Sequence, residues 1–493
     1  MDVKRKVKCD IVVVGGGNAG LVAAIAARNK GRNVLLIEKG PKKSRGGNTR
    51  FTDGRFKIAA ESDKDVLSLV EEAKLPKGKL EIEPPSKDEF YNQAMKLSEG
   101  CADKGLTEIF VNKSFETVMW MKEQGVKWEL SPMTCFEKEG RLFWPSTAMI
   151  LQGSGLSGES LVEMLYGIVE NRGIELLYET AGHSLITHAD GGVCGVLAKG
   201  VEGMIQIDAK SVILACGGFQ ADPASRRSFL GENWDLIKIR GTRYNTGEGI
   251  RMAVDIGAQA AGHWGGCHAA PVSEDSPMVE CASAGSQRYY WDYSIMLNRN
   301  GERFLDEGEN FRDHTYAKFG KEILKQPGSV AFQIFDAKVT PLLVDMGYPT
   351  GVRVESNSLE ELAKELDINV ERFLQTVKEY NEAVVDEKPF VRYKLDGRRT
   401  KGLKPDKTNW AQRIDTPPYW GYAVVCGLTM TYGGLKTNEK AQVIDTSDHP
   451  IKGLYAVGEL TGGFFYHNYI GGAGLTRGAV MGKIAGTEAA SNI

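Results

Sequence analysis

Near its start the chain changes hydrophobic period and then changes back. A continuous apolar run, Ile11 to Val14, follows Asp10. An alanine-rich stretch from Ala19 to Arg28 comes next, and Val34 to Ile37 is again continuously apolar. Short unbroken runs mark strands buried on both faces, so the order predicts a βαβ unit: strand Asp10 to Val14, helix Ala19 to Arg28, strand Val34 to Ile37. Ile174 to Tyr178 and Ser211 to Ala215 carry the same strand signature. The middle of the chain has another texture. Tyr289, Tyr290, Trp291 and Tyr293 cluster there, and Val370 to Val384 predicts a helix with Val370, Phe373, Leu374 and Val377 along one face. The charged segment Asp386 to Asp406, punctuated by proline and glycine, predicts a solvated loop. Glycine becomes dense again from Gly433 to Gly486. This distribution predicts one domain assembled from both ends, residues 1–267 and 426–493, with a second domain, 268–425, inserted between them.

Composition narrows the function. A chain of 493 residues with 42% hydrophobic content can bury a sizeable site. Its 61 basic and 64 acidic residues nearly cancel, and no basic block is present that would track a phosphate backbone, so nucleic acid is not expected as a partner. The eight cysteines form no CxxC pair, which argues against a disulfide framework, a zinc site or an iron–sulfur cluster, and no metal is expected. The apolar run after the basic N-terminus is too short for a signal peptide, and nowhere do about 18 apolar residues follow one another, so a cytoplasmic location is the expectation.

Gly15-Gly16-Gly17-Asn18-Ala19-Gly20 satisfies GxGxxG directly after a strand and at the opening of a helix. Gly15 permits the tight turn, Gly17 lets the backbone approach a pyrophosphate, and Gly20 allows the helix to pack closely on the strand. Glu38 closes the second strand 18 residues after Gly20, where a carboxylate accepts both hydroxyls of an adenosine ribose. An acid there disfavours a 2′-phosphate. The fingerprint by itself leaves FAD and NAD open.

Three further segments bear on that choice: Gly46-Gly47-Asn48-Thr49 soon after the second strand, Ala215-Cys216-Gly217-Gly218 at the end of a later one, and Ala456-Val457-Gly458-Glu459 near the C-terminus. With Thr246-Gly247-Glu248-Gly249 and Gly471-Gly472, they resemble the fumarate reductase and succinate dehydrogenase flavoprotein superfamily over nearly the whole chain. The resemblance implies an α/β fold: a Rossmann-like FAD-binding domain (GR2-type) with an inserted α+β substrate-capping domain. Around the cofactor it implies the fingerprint residues Gly15, Gly17, Asn18, Ala19 and Gly20 with Glu38 and Lys39. It adds Gly46, Gly47, Asn48, Thr49, Asp53 and Gly54 near the flavin and pyrophosphate, and then Ala181, Ala215, Gly217, Gly218, Thr246, Gly247 and Glu248. At the C-terminal end it implies Glu459, Gly472, Ala473 and Leu475, with Glu459 on the ribityl or pyrophosphate region. No histidine occurs between Met1 and His183, so the FAD is expected to be non-covalent.

In soluble fumarate reductases an arginine of the inserted domain donates the proton. The stretch Asn298 to Glu307 followed by Phe311-Arg312-Asp313 is similar and makes Arg312 the candidate. Deprotonating an arginine at neutral pH costs about 7 to 9 kcal/mol unless its surroundings reduce this. The chain also departs from the fumarate pattern, because Tyr469 stands where a carboxylate-binding arginine is expected. The segments Gly262 to His268, Glu307 to Arg312 and Phe464 to Tyr469 look instead like tricarballylate dehydrogenase, and imply that Arg312, His268, His467 and Tyr469 surround a small polycarboxylic acid. The implied reaction is α,β-dehydrogenation, or its reverse, by hydride transfer to flavin N5. Steroid Δ1-dehydrogenases, which use a tyrosine at a similar segment, supply the alternative of a keto substrate. The resemblance further implies an external electron acceptor, such as a membrane-associated iron–sulfur or quinone-linked protein.

Overall fold

The computed structural model describes residues 3–147, 149–281, 283–344 and 347–493. The first strand is Val3–Val14, and only its last four residues are fully buried. Its polar first part pairs with Met204 to Ala209 in parallel register, out toward solvent, so the apolar run Ile11 to Val14 marks the buried end of a longer strand. Helix Asn18–Asn29 and strand Val34–Ile37 complete the βαβ unit. The eight-stranded sheet continues on one side to Glu175–Leu177. On the other side lie Gly203–Leu214, Val193–Gly200 and Ala181–Thr187, the last two joined as an antiparallel meander.

The two ends of the chain share this sheet and its core. Strand Pro450–Ala456 runs parallel to the end of Gly203–Leu214, with Leu454 opposite Val212. The C-terminal helix Ala473–Ser491 lies against Asn18–Asn29. A side chain at Gly482 would place its Cβ 2.5 Å from the Ala19 carbonyl oxygen, and one at Gly486 would place it 2.2 Å from that of Ala23. Glycine at those positions is what allows the two helix backbones to touch.

A second, six-stranded sheet is organised by the long strand Tyr419–Leu435. Ala260–Ser273 and Val330–Phe335 run antiparallel to it, and Lys238–Ile239 runs parallel. Its aromatic core includes Tyr289, Tyr290, Trp291 and Tyr293, the cluster seen in the sequence. Helix Val370–Ala383 forms nearly as expected but buries Phe373, Thr376, Val377 and Tyr380. Leu374, expected on that face, is exposed, because the buried stripe is rotated toward Thr376 and Tyr380. Residues 386–406 lack regular structure, yet Asp396 and Thr400 are buried. Asp396 accepts from the backbone N–H groups of Trp410 and Arg398, so part of the segment is held by hydrogen bonds. No helix among the described residues is long and apolar enough to cross a membrane.

Candidate active site

One continuous cavity opens at the carboxyl ends of the parallel strands, where Val14, Ile37 and Ala215 contribute to its wall. That is where open α/β sheets bind ligands. The glycines of the fingerprint are required by contact distances. A Cβ on Gly15, whose φ is +110°, would lie 2.4 Å from the Ala215 carbonyl oxygen, and one on Gly20 would lie 2.0 Å from that of Gly15. Glu38, buried at the end of its strand, accepts from the N–H of Gly16 at 2.9 Å and of Gly40 at 2.8 Å. Burial raises its pKa, with those two N–H groups opposing. Beside it Lys39 pairs with Glu248 at 2.6 Å and donates to Thr246 at 2.7 Å.

The middle of the cavity is a polar web around Glu459. Its carboxylate accepts from the Thr431 N–H at 3.0 Å and from the side-chain amides of Asn48, Gln220 and Asn245 at 3.2 to 3.3 Å. Burial pushes the Glu459 carboxyl up to about 7 against those donors. Burial likewise pulls Arg477 down to about 10, although Glu459 opposes it. Gly17 and Gly472 begin helices Asn18–Asn29 and Ala473–Ser491, so two helix N-termini face the same space. Free N–H groups and the positive dipole ends suit a pyrophosphate. A buried carboxylate at the end of the second strand, two helix starts facing the cavity and a glycine-floored channel between them fit FAD.

Of the cofactor residues expected from the sequence, Gly15, Gly17, Asn18, Ala19, Glu38 and Lys39 line the cavity, as do Gly47, Asn48, Thr49 and Asp53. Ala181, Ala215, Gly217, Glu248, Glu459, Gly472 and Leu475 line it as well. Gly20, Gly46, Gly54, Gly218, Thr246, Gly247 and Ala473 are not among the lining residues. A Cβ on Gly46 would strike Val162, and one on Gly218 would strike Thr431 and Glu459.

At the far end seven side chains converge from distant parts of the chain: Asp53, Arg55, Arg240, His268, Tyr289, Tyr316 and Tyr469. Asp53 pairs with Arg55 at 2.5 Å and accepts from the Gln287 amide at 3.0 Å. Burial alone would raise the Asp53 pKa, but Arg55 and Arg240 outweigh it and hold the group below its ordinary value. Arg240 follows strand Lys238–Ile239, donates to the Thr429 hydroxyl at 3.1 Å and lies 5.8 Å from the Tyr289 ring centre. His268 sits on strand Ala260–Ser273, its ring 4.7 Å from that of Tyr316 and 5.0 Å from that of Tyr469. Burial and then the charge of Arg240 lower its pKa to about 3, so the imidazole is neutral at physiological pH. The Tyr469 hydroxyl accepts from the Gly474 N–H at 2.9 Å.

The expected catalytic set is divided. His268 and Tyr469 face the cavity, and Arg312 and His467 are not among its lining residues. The Arg312 guanidinium donates to the Met133 carbonyl and lies 4.9 Å from the Tyr290 ring centre. His467 is half-buried against the His263 ring, 4.7 Å away, with the Cys101 sulfur 4.0 Å from its Nε2. Sequence reasoning missed Arg55, Arg240, Tyr289 and Tyr316 as site residues. The only available signal was an arginine closing a short apolar alternation, Ile237 to Arg240, and one following Asp53-Gly54.

Fold and site together define an FAD-dependent oxidoreductase, a dehydrogenase or reductase. The chain belongs to the FAD binding domain family, which matches residues 10–475. It is 28% identical over 486 residues to a probable fumarate reductase, Ifc3, of Shewanella frigidimarina, covering 98% of this chain and 75% of the relative. It is 32% identical over 358 residues to 4-oxocyclohexanecarboxylate 2-dehydrogenase of Sinomonas cyclohexanicum, covering 67% and 60%. Among solved structures, the 3-ketosteroid delta1-dehydrogenase of Sterolibacterium denitrificans superposes with a TM-score of 0.76 at 20% identity, covering 99% of this chain and 100% of that one, a likeness of fold.

Proposed function

We propose that the protein dehydrogenates a small organic acid between its α and β carbons, or reduces the corresponding C=C bond. The observation that carries this reading is the pair of guanidiniums, the buried Arg240 and Arg55 with 11% of its side chain exposed, on a cavity wall completed by Asp53, His268 and three tyrosines. Guanidiniums hold a carboxylate through charge-assisted hydrogen bonds, and their field also stabilises negative charge that develops beside it. Bound FAD supplies the redox chemistry, a hydride exchanged at N5. The chain's own residues do the rest. Arg240 binds and orients the acid with the field of Arg55, itself paired with Asp53, behind it, neutral His268 offers a hydrogen bond without adding charge, and the cap segment, 268–425, excludes water. Tyr469 keeps its proton at neutral pH, since burial raises its pKa while the Gly474 N–H and Arg477 pull the other way. Its hydroxyl is the proton-transfer group in this reading, and Arg312 braces Met133 and Tyr290.

Two finer forms of the substrate follow from the residues. The sequence resemblance suggests a tricarballylate-like polycarboxylate. The tyrosine-rich wall suits a less charged acid or a keto compound, and one relative is named for a substrate with both groups, 4-oxocyclohexanecarboxylate. FAD is held non-covalently in this proposal, and an external iron–sulfur or quinone-linked acceptor exchanges electrons with it. The test is anaerobic mixing of the yellow holoprotein with tricarballylate, succinate, 4-oxocyclohexanecarboxylate and a 3-ketosteroid, and of the chemically reduced protein with the matching unsaturated acids. Bleaching or return of flavin absorbance with an organic acid supports the reading. No response to any acid, with rapid response to the ketosteroid, overturns it.

A further inference from the structure

Charge at the far end of the cavity is unbalanced, and three polar atoms there lack partners among the described residues. Arg55 and Arg240 face one carboxylate, Asp53. Asp313, 3.8 Å from Arg55, is the next acid, and it lies beside the fully buried Lys57. Lys57 lies off the cavity wall, faces Glu89 as well as Asp313, and is pulled down to about 8 by burial. The far-end wall itself carries two cations, Arg55 and Arg240, and one carboxylate, Asp53, all at most about a seventh exposed at the side chain. The other charges on the cavity wall are engaged elsewhere: Lys39 with Glu248, Arg477 beside Glu459, and Glu38 at the ribose end. Within the far end, the Arg240 Nε, the Tyr289 hydroxyl and the His268 Nδ1 are buried without a hydrogen-bond partner among the described residues. The Arg240 Nε–H and the Tyr289 hydroxyl can donate, and the His268 Nδ1 donates or accepts according to its tautomer. Unpaired buried polar atoms are costly, and their convergence on one cavity wall marks where a ligand supplies partners.

We propose that the substrate is a monocarboxylate with an apolar body, its carboxylate held by Arg240 and Tyr289 and its body enclosed by the rings of His268, Tyr316 and Tyr469. The inference rests on the functional reading above and narrows it. One carboxylate neutralises the single surplus charge and satisfies the unpartnered donors. A second would enter a buried site with no further cation on its wall among the described residues, which low-dielectric surroundings penalise. Neighbouring rings among Tyr289, Tyr316, His268 and Tyr469 lie 4.7 to 6.1 Å apart and form an aromatic wall for flat or cyclic carbon skeletons. Arg240 sets the charge class of the substrate in this scheme, and Arg55, already committed to Asp53, supports it.

The test is equilibrium binding to oxidised holoprotein, read as the shift of the flavin absorbance spectrum, with cyclohexanecarboxylate, succinate, tricarballylate and neutral cyclohexanone as probes. The expected result is a Kd for cyclohexanecarboxylate at least about tenfold below those of the two polyacids. Arg240→Gln is expected to weaken cyclohexanecarboxylate by about thirtyfold or more and to change cyclohexanone by less than about threefold. Should that variant lose its flavin, Tyr289→Phe with the wild-type ranking decides. Equal or tighter binding of succinate or tricarballylate, no binding of cyclohexanecarboxylate, or its undiminished binding to both variants overturns the proposal. Because binding is read without electron transfer, the two ideas fail separately. Acids that rank as expected but never change the flavin's redox state sink the functional reading alone, and preferential turnover of polyacids sinks this one alone.

Discussion

Tyr469 and Arg312 make opposite demands on their surroundings. Arginine must be stripped of a proton it holds tightly, whereas a buried tyrosine begins protonated and needs only hydrogen bonds that stabilise its anion. Tyr469 has such a bond from the Gly474 N–H and lies on the cavity, while Arg312 is turned to the Met133 carbonyl. Tyr469→Phe is therefore expected to slow flavin reduction or reoxidation by the substrate by about a hundredfold with flavin content unchanged. Arg312→Ala should cost less than about fivefold, and rapid-mixing kinetics on both variants decides between them. Glu459 makes a second residue-scale prediction. Its folded pKa, raised by burial to about 7, lies above its unfolded value, so its contribution to stability is present at pH below the ordinary carboxylate range and fades as pH rises through about 7. In flavin-free protein the loss amounts to about 3 kcal/mol between pH 4 and pH 8, and Glu459→Gln should flatten that part of the profile measured by urea unfolding.

At the scale of elements, the site depends on two helices that start at glycine and touch each other through glycine. Gly486→Leu forces a side chain against the Ala23 carbonyl, where even a Cβ would be 2.2 Å away. The expected cost is about 1 to 3 kcal/mol, seen as a lower denaturant midpoint with unchanged slope. Gly20→Val acts on the other end of the same pair, wedging helix Asn18–Asn29 off its strand through Gly15, and should yield protein that purifies colourless. The βαβ unit and its fingerprint were legible because local pattern and local contact coincide there. Elsewhere they do not. The outer part of strand Val3–Val14 is polar and shows no strand signal, since it is held chiefly by backbone pairing with Met204 to Ala209. Leu374 misled because its helix packs on a stripe rotated toward Tyr380. Arg55 and Arg240 carry no motif of their own, and only the folded chain brings residues from positions 53 to 469 to one wall.

At the scale of the molecule, the site lies where the two sheets meet. The parallel sheet contributes the cofactor channel through its strand ends. The second sheet contributes His268 on Ala260–Ser273 and the neighbours Thr429 and Met430 on Tyr419–Leu435. His268 stands opposite Met430 in that pairing, so a slip of the two strands would remove it from the cavity. In this scheme the acid reacts with its carboxylate on Arg240 and its reacting carbons beside Tyr469. The most direct measurement is a crystal structure of the oxidised holoprotein with a bound, unreactive organic acid such as cyclohexanecarboxylate. The expected result is its carboxylate within hydrogen-bonding distance of Arg240 and its ring beside Tyr469. An acid seated instead at Arg312 or His467, away from that wall, would contradict it.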